Sequence, residues 1–542
     1  MILEDLTTLR NLKHMVDYAA ENYGADPFAT WKTPDGIVSR TYAQFKADTE
    51  ALSRFYIENN LKGAHAAIIA ANSYGWLTAY FGTANCGSVA VPLAANETPE
   101  QLCRLVDFAD CKVVFLDQAH AALAAMLREK APQVEYIIFL DKKGADDALL
   151  LSDILRDYAG SYTTEPDGDD YAAILFTSGT TGFPKGVMLT HRNFVLSAVC
   201  VHVACPTHTL LCVLPLSHAF CFTAIVTKGI AKGKEIFIND SLPNIMENIR
   251  LFKPESMAVV PQLAKKLMFG ALQFAKARPD LSENEAVKAF FGGNIIDIIS
   301  GGAPLEPELA IRFEQTGVPV LNGYGMTECA PIIANNASFC HRAGSVGKPI
   351  PCMDAIIRDG ELLVKGPTVF KGYYKNPEET AQAFTDDGYF KTGDLGYFDN
   401  DGFLYLTGRS KNLILLDNGE NVSAEQLEDR FANEHAVKEV VCYGEGNVIV
   451  AEVFLDQDYL KANNITDTDA YMIEVLQRVN SGLASFQRIS RHVIRPVPFK
   501  RNASLKIIRN FEHTKQSRKI VPPETPTQKK VIAAAQDLLM ID

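Results

Sequence analysis

No part of the chain is an uninterrupted apolar run of the length a bilayer demands, ~20 residues. Two long stretches do lack charge, Ala66 to Asn96 and Asn193 to Thr227. The first is broken by Asn72, Gly75, Gly82, Asn85, Gly87 and Pro92, the second by Pro206, Pro215 and three histidines. Both read as buried strands and helices of a core, and peripheral contact with a lipid surface stays open. No signal peptide is evident: Met1 to Tyr23 mixes Glu4, Asp5, Arg10, Lys13 and Asp17 with apolar residues, as a helix of a mature protein does. Basic excess is lacking as well. The formal net charge of −13 disfavours a general nucleic-acid binder. It does not oppose a local positive site for a nucleotide.

Paired cysteines are not indicated either. The count is odd, 11, in a long chain without a leader, so reduced thiols and a cytoplasmic location are expected. Cys200, His202, Cys205, His208, Cys212, His218 and Cys221 lack the ligand order of a zinc site, and apolar residues run between them. A Walker loop is absent: Pro184 stands five residues after Gly179, and neither Ser nor Thr follows Lys185. So is the G-x-S-x-G elbow of hydrolases, since the nearest run, Ala343 to Gly347, opens on alanine.

What is present is a chain of 542 residues, 47% hydrophobic and 22% charged, enough for several domain-sized cores. A helix over 40–62 is expected from Tyr42, Phe45, Leu52 and Phe55. Strands are expected at Ala66–Ala70, Val89–Pro92 and Val113–Leu116, with helices at Trp76–Asn85 and Thr98–Phe108 between them. That alternation argues for parallel sheets wrapped by helices. A polar linker, 160–170, follows.

The linker leads into YAAILFTSGTTGFPKGVMLTH, residues 171–191. Tyr171 to Thr177 is an apolar strand, and Val187 to Leu189 is apolar again. Between them lie Ser178, Gly179, Thr180, Thr181, Gly182 and Lys185. Glycines let backbone approach a ligand, loop N–H groups form an anion-binding concavity, and Lys185 adds a point charge. The loop suits a polyphosphate. Three further segments follow in order. Ile295 to Ser300 is a strand ending on Gly301, Gly302 and Ala303, which leaves room for a flat ring. The strand Val318 to Leu321 precedes NGYGMTECAP, residues 322–331. GYFKTGDLG spans 388–396, and GRSKNLILLDNGENVS begins at Gly408.

These strings, in this order, resemble the adenylate-forming superfamily of acyl-CoA synthetases, luciferases and peptide-synthetase adenylation domains. Within it, GMTECAP and GRSKNLILLDNGENVS look most like bacterial long-chain fatty acyl-CoA synthetases. The resemblance implies an α/β fold: a large N-terminal domain of helix-wrapped sheets, 1–410, then a small mobile α+β domain, 411–515, after a hinge at Lys411. A tail with a terminal helix, 516–542, completes the chain. From Asn412 onward the residues themselves read as α+β, with strands Val437–Tyr443 and Val448–Phe454 and helices Ala424–Phe431 and Tyr471–Ala484. The terminal helix reads as one docking on its own protein, or as the first helix of a truncated acyl-carrier domain.

Roles carried over by the resemblance are these. Thr177, Ser178, Gly179, Thr180, Thr181, Gly182 and Lys185 bind phosphate. Gly301, Gly302 and Ala303 border adenine, as do Asn322, Gly323, Tyr324 and Gly325. Thr327 meets a phosphate oxygen, and Glu328 holds Mg²⁺. Asp394 takes the ribose hydroxyls, and Arg409 contacts ribose and phosphate. Gly419 lies in the loop facing the thiol, and Lys506 is the catalytic lysine of the C-terminal domain. Leu505 stands where the family has glycine, and Lys500, Arg501 and Arg509 are rival cations. LPLSHAF, 214–220, matches the segment bordering the acyl pocket, with His218 on the substrate side; His218 reads equally well as a packed core histidine. No acid lies between Asn193 and Thr227 to meet a substrate ammonium, which disfavours amino acids. The expected reaction joins a medium- to long-chain fatty acid to CoA through acyl-AMP, using ATP and Mg²⁺. The alternatives are an acyl-AMP ligase loading an acyl carrier protein and an aryl-CoA ligase.

Overall fold

The computed structural model of the protein describes residues 8–177, 184–201, 207–416, 421–432, 434–445, 448–501, 507 and 509. The architecture is mixed α/β, a large N-terminal domain followed by a smaller one. The chain divides into two compact units, Met1–Asn412 and Leu413–Asp542. Lys411 lies in the short turn Ser410–Asn412, on the last residues of the first unit.

The large unit is built on two long sheets. One has eight strands, ordered Gly372–Tyr373, Lys185–Thr190, Tyr171–Thr177, Val89–Pro92, His65–Ile69, Cys111–Leu116, Tyr136–Phe139 and Leu149–Leu150. From Tyr171–Thr177 to Leu149–Leu150 its pairs are parallel. The other has nine strands and is parallel from Val320–Gly325 through Asp297–Ser300, Ser256–Val259, Thr209–Cys212 and Glu235–Ile238 to Pro27–Thr33. Strands of such sheets are buried on both faces and read as near-continuous apolar runs. In His65–Ile69, Ala66 and Ile68 enter one core while Ala67 and Ile69 enter another.

The first of these cores lies between the two sheets and explains the charge-free stretches of the sequence. It holds Trp76, Leu77, Tyr80 and Phe81 from the first stretch, and Phe194, Leu216, Phe222 and Ile225 from the second. The helix expected over 40–62 spans Tyr42–Glu58, capped by Thr41, with Tyr42, Phe45, Leu52 and Phe55 buried. Segment 219–231 includes a π-helical turn, Phe222–Thr227. Among the described residues no helix is long and apolar enough to cross a membrane. A third, four-stranded antiparallel sheet carries Phe390–Phe398 beside Leu404–Arg409.

The small unit pairs Val437–Glu445 antiparallel with Val448–Leu455, and the latter parallel with Ile489–Ile494. Its helices differ in extent from the periodicity reading. The first is Ala424–Asp429, opened by the Gln426 N–H donating to Ser423 Oγ at 3.3 Å. The second is Thr468–Val479 rather than Tyr471–Ala484. The Asp467 side chain caps its start, and Gly482, at φ +79°, turns the chain beyond its end. The tail 516–542 lies outside the described residues.

Candidate active site

The strand–loop–strand reading of 171–191 holds at both ends. Tyr171–Thr177 pairs antiparallel with Lys185–Thr190, placing Thr177 opposite Lys185. Ser178, Gly179, Thr180, Thr181 and Gly182 lie outside the described residues. The next strand over is Gly372–Tyr373, with Tyr373 opposite Val187. This neighbour puts two unforeseen side chains on Lys185. Lys185 Nζ forms an ion pair with Glu379 and lies 5.1 Å from the centre of the Tyr373 ring. The Tyr373 hydroxyl in turn donates to Glu328 Oε1 at 3.0 Å. The string GYYKNPEET at 372–380 carries a signal for the helix that holds Glu379, an Asn-Pro start with acids in the first turn, but none for its contact with Lys185.

Glu328 sits on the turn Thr327–Cys329 and is 8% exposed. Burial raises its pKa, opposed by hydrogen bonds and by the Arg409 and Lys185 charges. A carboxylate this buried is costly without a partner. Tyr373 engages Oε1, so the donor set fits a hard cation that takes one or two carboxylates and completes its shell with phosphates and water.

The adenine candidates lie on and just beyond two neighbouring parallel strands of the nine-stranded sheet. Asp297–Ser300 and Val320–Gly325 are parallel neighbours with Ser300 opposite Asn322, so Gly301–Ala303 and Gly323–Gly325 emerge side by side. The strand expected at Val318–Leu321 therefore runs on through Gly325, because Ile332–Asn335 folds back and pairs with Gly323, Tyr324 and Gly325. A Cβ on Gly325 would lie 1.8 Å from the Pro331 carbonyl oxygen, so only glycine fits. Among the described residues Asn322 Oδ1 is buried without a hydrogen-bond partner. Such an acceptor costs about 1–3 kcal/mol unless a donor reaches it, and an exocyclic amine of adenine is a donor.

Asp394 is 4% exposed and faces Arg409 across the strand pair. Arg409 Nε lies 2.7 Å from Oδ1, and the Tyr324 hydroxyl donates to Oδ2 at 2.5 Å. The latter bond fixes the plane of the ring proposed to stack on adenine. Each carboxylate oxygen has a second lone pair, so Asp394 keeps capacity for ribose hydroxyls. One chain of contacts thus runs from Glu379 through Lys185 and Tyr373 to Glu328. A second chain joins Arg409 and Tyr324 through Asp394.

His218 is half-buried at the head of segment 219–231. Two residues on, the Phe220 ring closes on Gly301, where a Cβ would meet it at 3.0 Å. Asn72, one of the breaks in the first charge-free stretch, braces this segment. Its amide donates to the Leu214 carbonyl at 2.8 Å and accepts from the Leu216 N–H at 2.9 Å. The structure thus brings the LPLSHAF segment against Gly301.

In the small unit, Gly419 and Lys506 lie outside the described residues. The rival cations are placed. Arg509 pairs with Glu428 at 2.5 Å, Arg501 with Glu439 at 2.7 Å, and Lys500 is exposed. Arg501 and Ile507 form an antiparallel bridge.

The chain is similar in sequence and fold to known proteins. The long-chain-fatty-acid–CoA ligase FadD15 of Mycobacterium bovis is 29% identical over 439 residues, covering 72% of each chain. ATP-bound MatB from Rhodopseudomonas palustris matches with a TM-score of 0.76 and 25% identity, over 97% of this chain and 99% of that one. The anthranilate CoA ligase AuaEII, solved with anthranoyl-AMP, shares the fold at a TM-score of 0.79 and 19% identity, over 98% of both chains. The pattern of the AMP-binding enzyme C-terminal domain matches residues 411–520. With the pattern of AMP-binding enzymes matched over residues 16–374, the chain belongs to that family.

Proposed function

We propose that the protein activates a medium- to long-chain fatty acid with ATP, releasing pyrophosphate, and passes the acyl group from acyl-AMP to CoA. It is an AMP-forming acid–thiol ligase using ATP, Mg²⁺ and CoA. The observation that carries the reading is a pair of contact chains, Lys185–Tyr373–Glu328 and Arg409–Asp394–Tyr324. They gather a cation, a buried carboxylate and a ribose acceptor from three separate sequence motifs.

A carboxylate is a poor acyl donor because oxide is a poor leaving group. In the first step a carboxylate oxygen forms a bond to the α-phosphorus, and the bond from that phosphorus to the pyrophosphate oxygen breaks. An anion must approach an anion, so the protein's task is positioning and charge neutralisation. Bound Mg²⁺ would neutralise phosphate charge, with Glu328 as its protein ligand. Asp394 would hold the ribose, Tyr324 the ring, and Lys185 with the 177–182 backbone the phosphates. Lys506 would supply the remaining cation. In the second step the thiol attacks the acyl carbon and AMP leaves. We infer that Lys506 serves the first step and the Gly419 loop the second, exchanged about Lys411.

The fatty substrate is supported by the charge-free segment 193–227, which offers no counter-charge for an ammonium, and by the relative from M. bovis. An acid-dependent ATP–pyrophosphate exchange screen tests it, across acetate, medium- and long-chain fatty acids, benzoates and amino acids. The expected result is the highest kcat/KM with a medium- or long-chain fatty acid, followed by thiolysis with CoA. Preference for benzoates makes it an aryl-CoA ligase. Thiolysis by holo-acyl carrier protein but not by CoA makes it an acyl-AMP ligase.

A further inference from the structure

Lys185, the expected phosphate ligand, already has an anion. Its ammonium is paired with Glu379, and the pair is partly desolvated, with side-chain exposures of 14% and 29%. Glu379 is held in place for this. It sits in the first turn of helix Pro377–Ala383, its N–H donates to Asn376 Oδ1 at 3.1 Å, and its Oε2 accepts from Asn376 Nδ2 at 3.2 Å. The helix is itself anchored to the loop's strand: Tyr373 N–H donates to Thr380 Oγ1 at 2.9 Å while Tyr373 pairs with Val187. Asn376, Glu379 and Thr380 therefore form one rigid bracket beside Lys185. A charged pair fixed this way is unlike a surface ion pair, whose two long side chains must be ordered for little gain.

We propose that Glu379 is a positioning residue that stands in for the triphosphate, holding the Lys185 ammonium until ATP displaces it. The proposal rests on the reading of 177–185 as the polyphosphate site. A polyphosphate reaching that loop meets an ammonium already neutralised and a carboxylate of its own sign. ATP must therefore break the Lys185–Glu379 pair, and the cost appears as weaker binding. The gain is a lysine kept oriented and shielded between turnovers.

Two measurements on the full-length protein test this. The first is the dissociation constant of MgATP, by calorimetry without fatty acid or CoA, for the natural protein and for Glu379→Gln. The amide keeps the bracket's hydrogen bonds but not the charge, and binding should tighten roughly fivefold or more, the lower end of ordinary coupling between two ligands. A purely structural Glu379 gives the opposite sign, weaker binding. The second needs no variant: in a crystal structure with MgATP, Lys185 Nζ should have left Glu379 for a phosphate oxygen. An unchanged or weakened constant in Glu379→Gln, or an intact pair in the complex, overturns the inference alone. Absence of saturable ATP binding to the natural protein overturns it together with the activation reading.

Discussion

Lys506→Ala stops acyl-adenylate formation and spares thiolysis of supplied acyl-AMP. Adenylation opposes two anions, and removing one preorganised cation from such a transition state costs about 10²–10³ in rate. Thiolysis has no such juxtaposition, because the acyl carbon of the adenylate is neutral and AMP is a competent leaving group. The neighbouring cations are poor substitutes. Arg509 is committed to Glu428 at 2.5 and 2.9 Å, and Arg501 to Glu439 at 2.7 Å. Exposed Lys500 is the control position. Fatty-acid-dependent pyrophosphate exchange reports the first half-reaction, and CoA ester formation from synthetic acyl-AMP the second. Equal loss in both half-reactions removes the assignment, and loss in Lys500→Ala instead moves it.

Glu328→Gln lowers the overall rate by a similar factor, about 10²–10³, and raises the Mg²⁺ concentration needed for half-maximal rate. The substitution is chosen for what it leaves alone. The glutamine carbonyl still accepts from the Tyr373 hydroxyl, which lies 3.0 Å from Glu328 Oε1, so the contact to Lys185 through the Tyr373 ring survives. Only the charge goes. Its removal also changes the pH profile. Burial raises the Glu328 pKa, so protons compete with Mg²⁺ for this carboxylate at a higher pH than for a solvated one. Activity falls as pH drops through that raised value, and the limb is absent from Glu328→Gln. Initial rates against Mg²⁺ and pH decide it. A variant retaining more than half its activity, with an unchanged acid limb, removes Glu328 from the metal site.

Residues that act as contiguous strings were legible before any coordinate. Tyr171–Thr177 and Lys185–Thr190 form a strand pair around 178–184 because glycines and hydroxyls interrupt an apolar run there, a local signal. Asp394 and Arg409 were legible singly. Their 2.7 Å contact was not, since it depends on Phe390–Phe398 and Leu404–Arg409 pairing in one register. Contacts between distant segments left no trace in periodicity. Glu379 reaches Lys185 only because Gly372–Tyr373 adds to the edge of the eight-stranded sheet, a matter of strand order. Asn72 read as a break in an apolar stretch, yet it clamps the Leu214–Leu216 backbone across the layer between the sheets. Element ends followed capping groups rather than apolar spacing, as Asp467 at the helix Thr468–Val479 illustrates.

The fate of the carboxylate oxygen tests the central claim most directly. Fatty acid labelled with ¹⁸O in both carboxylate positions is turned over with ATP, Mg²⁺ and CoA, and the products are weighed by mass spectrometry. Attack on the α-phosphorus followed by thiolysis places one ¹⁸O in AMP and none in pyrophosphate. Unlabelled AMP, or ¹⁸O in inorganic phosphate with ADP as the nucleotide product, contradicts activation through an acyl-adenylate.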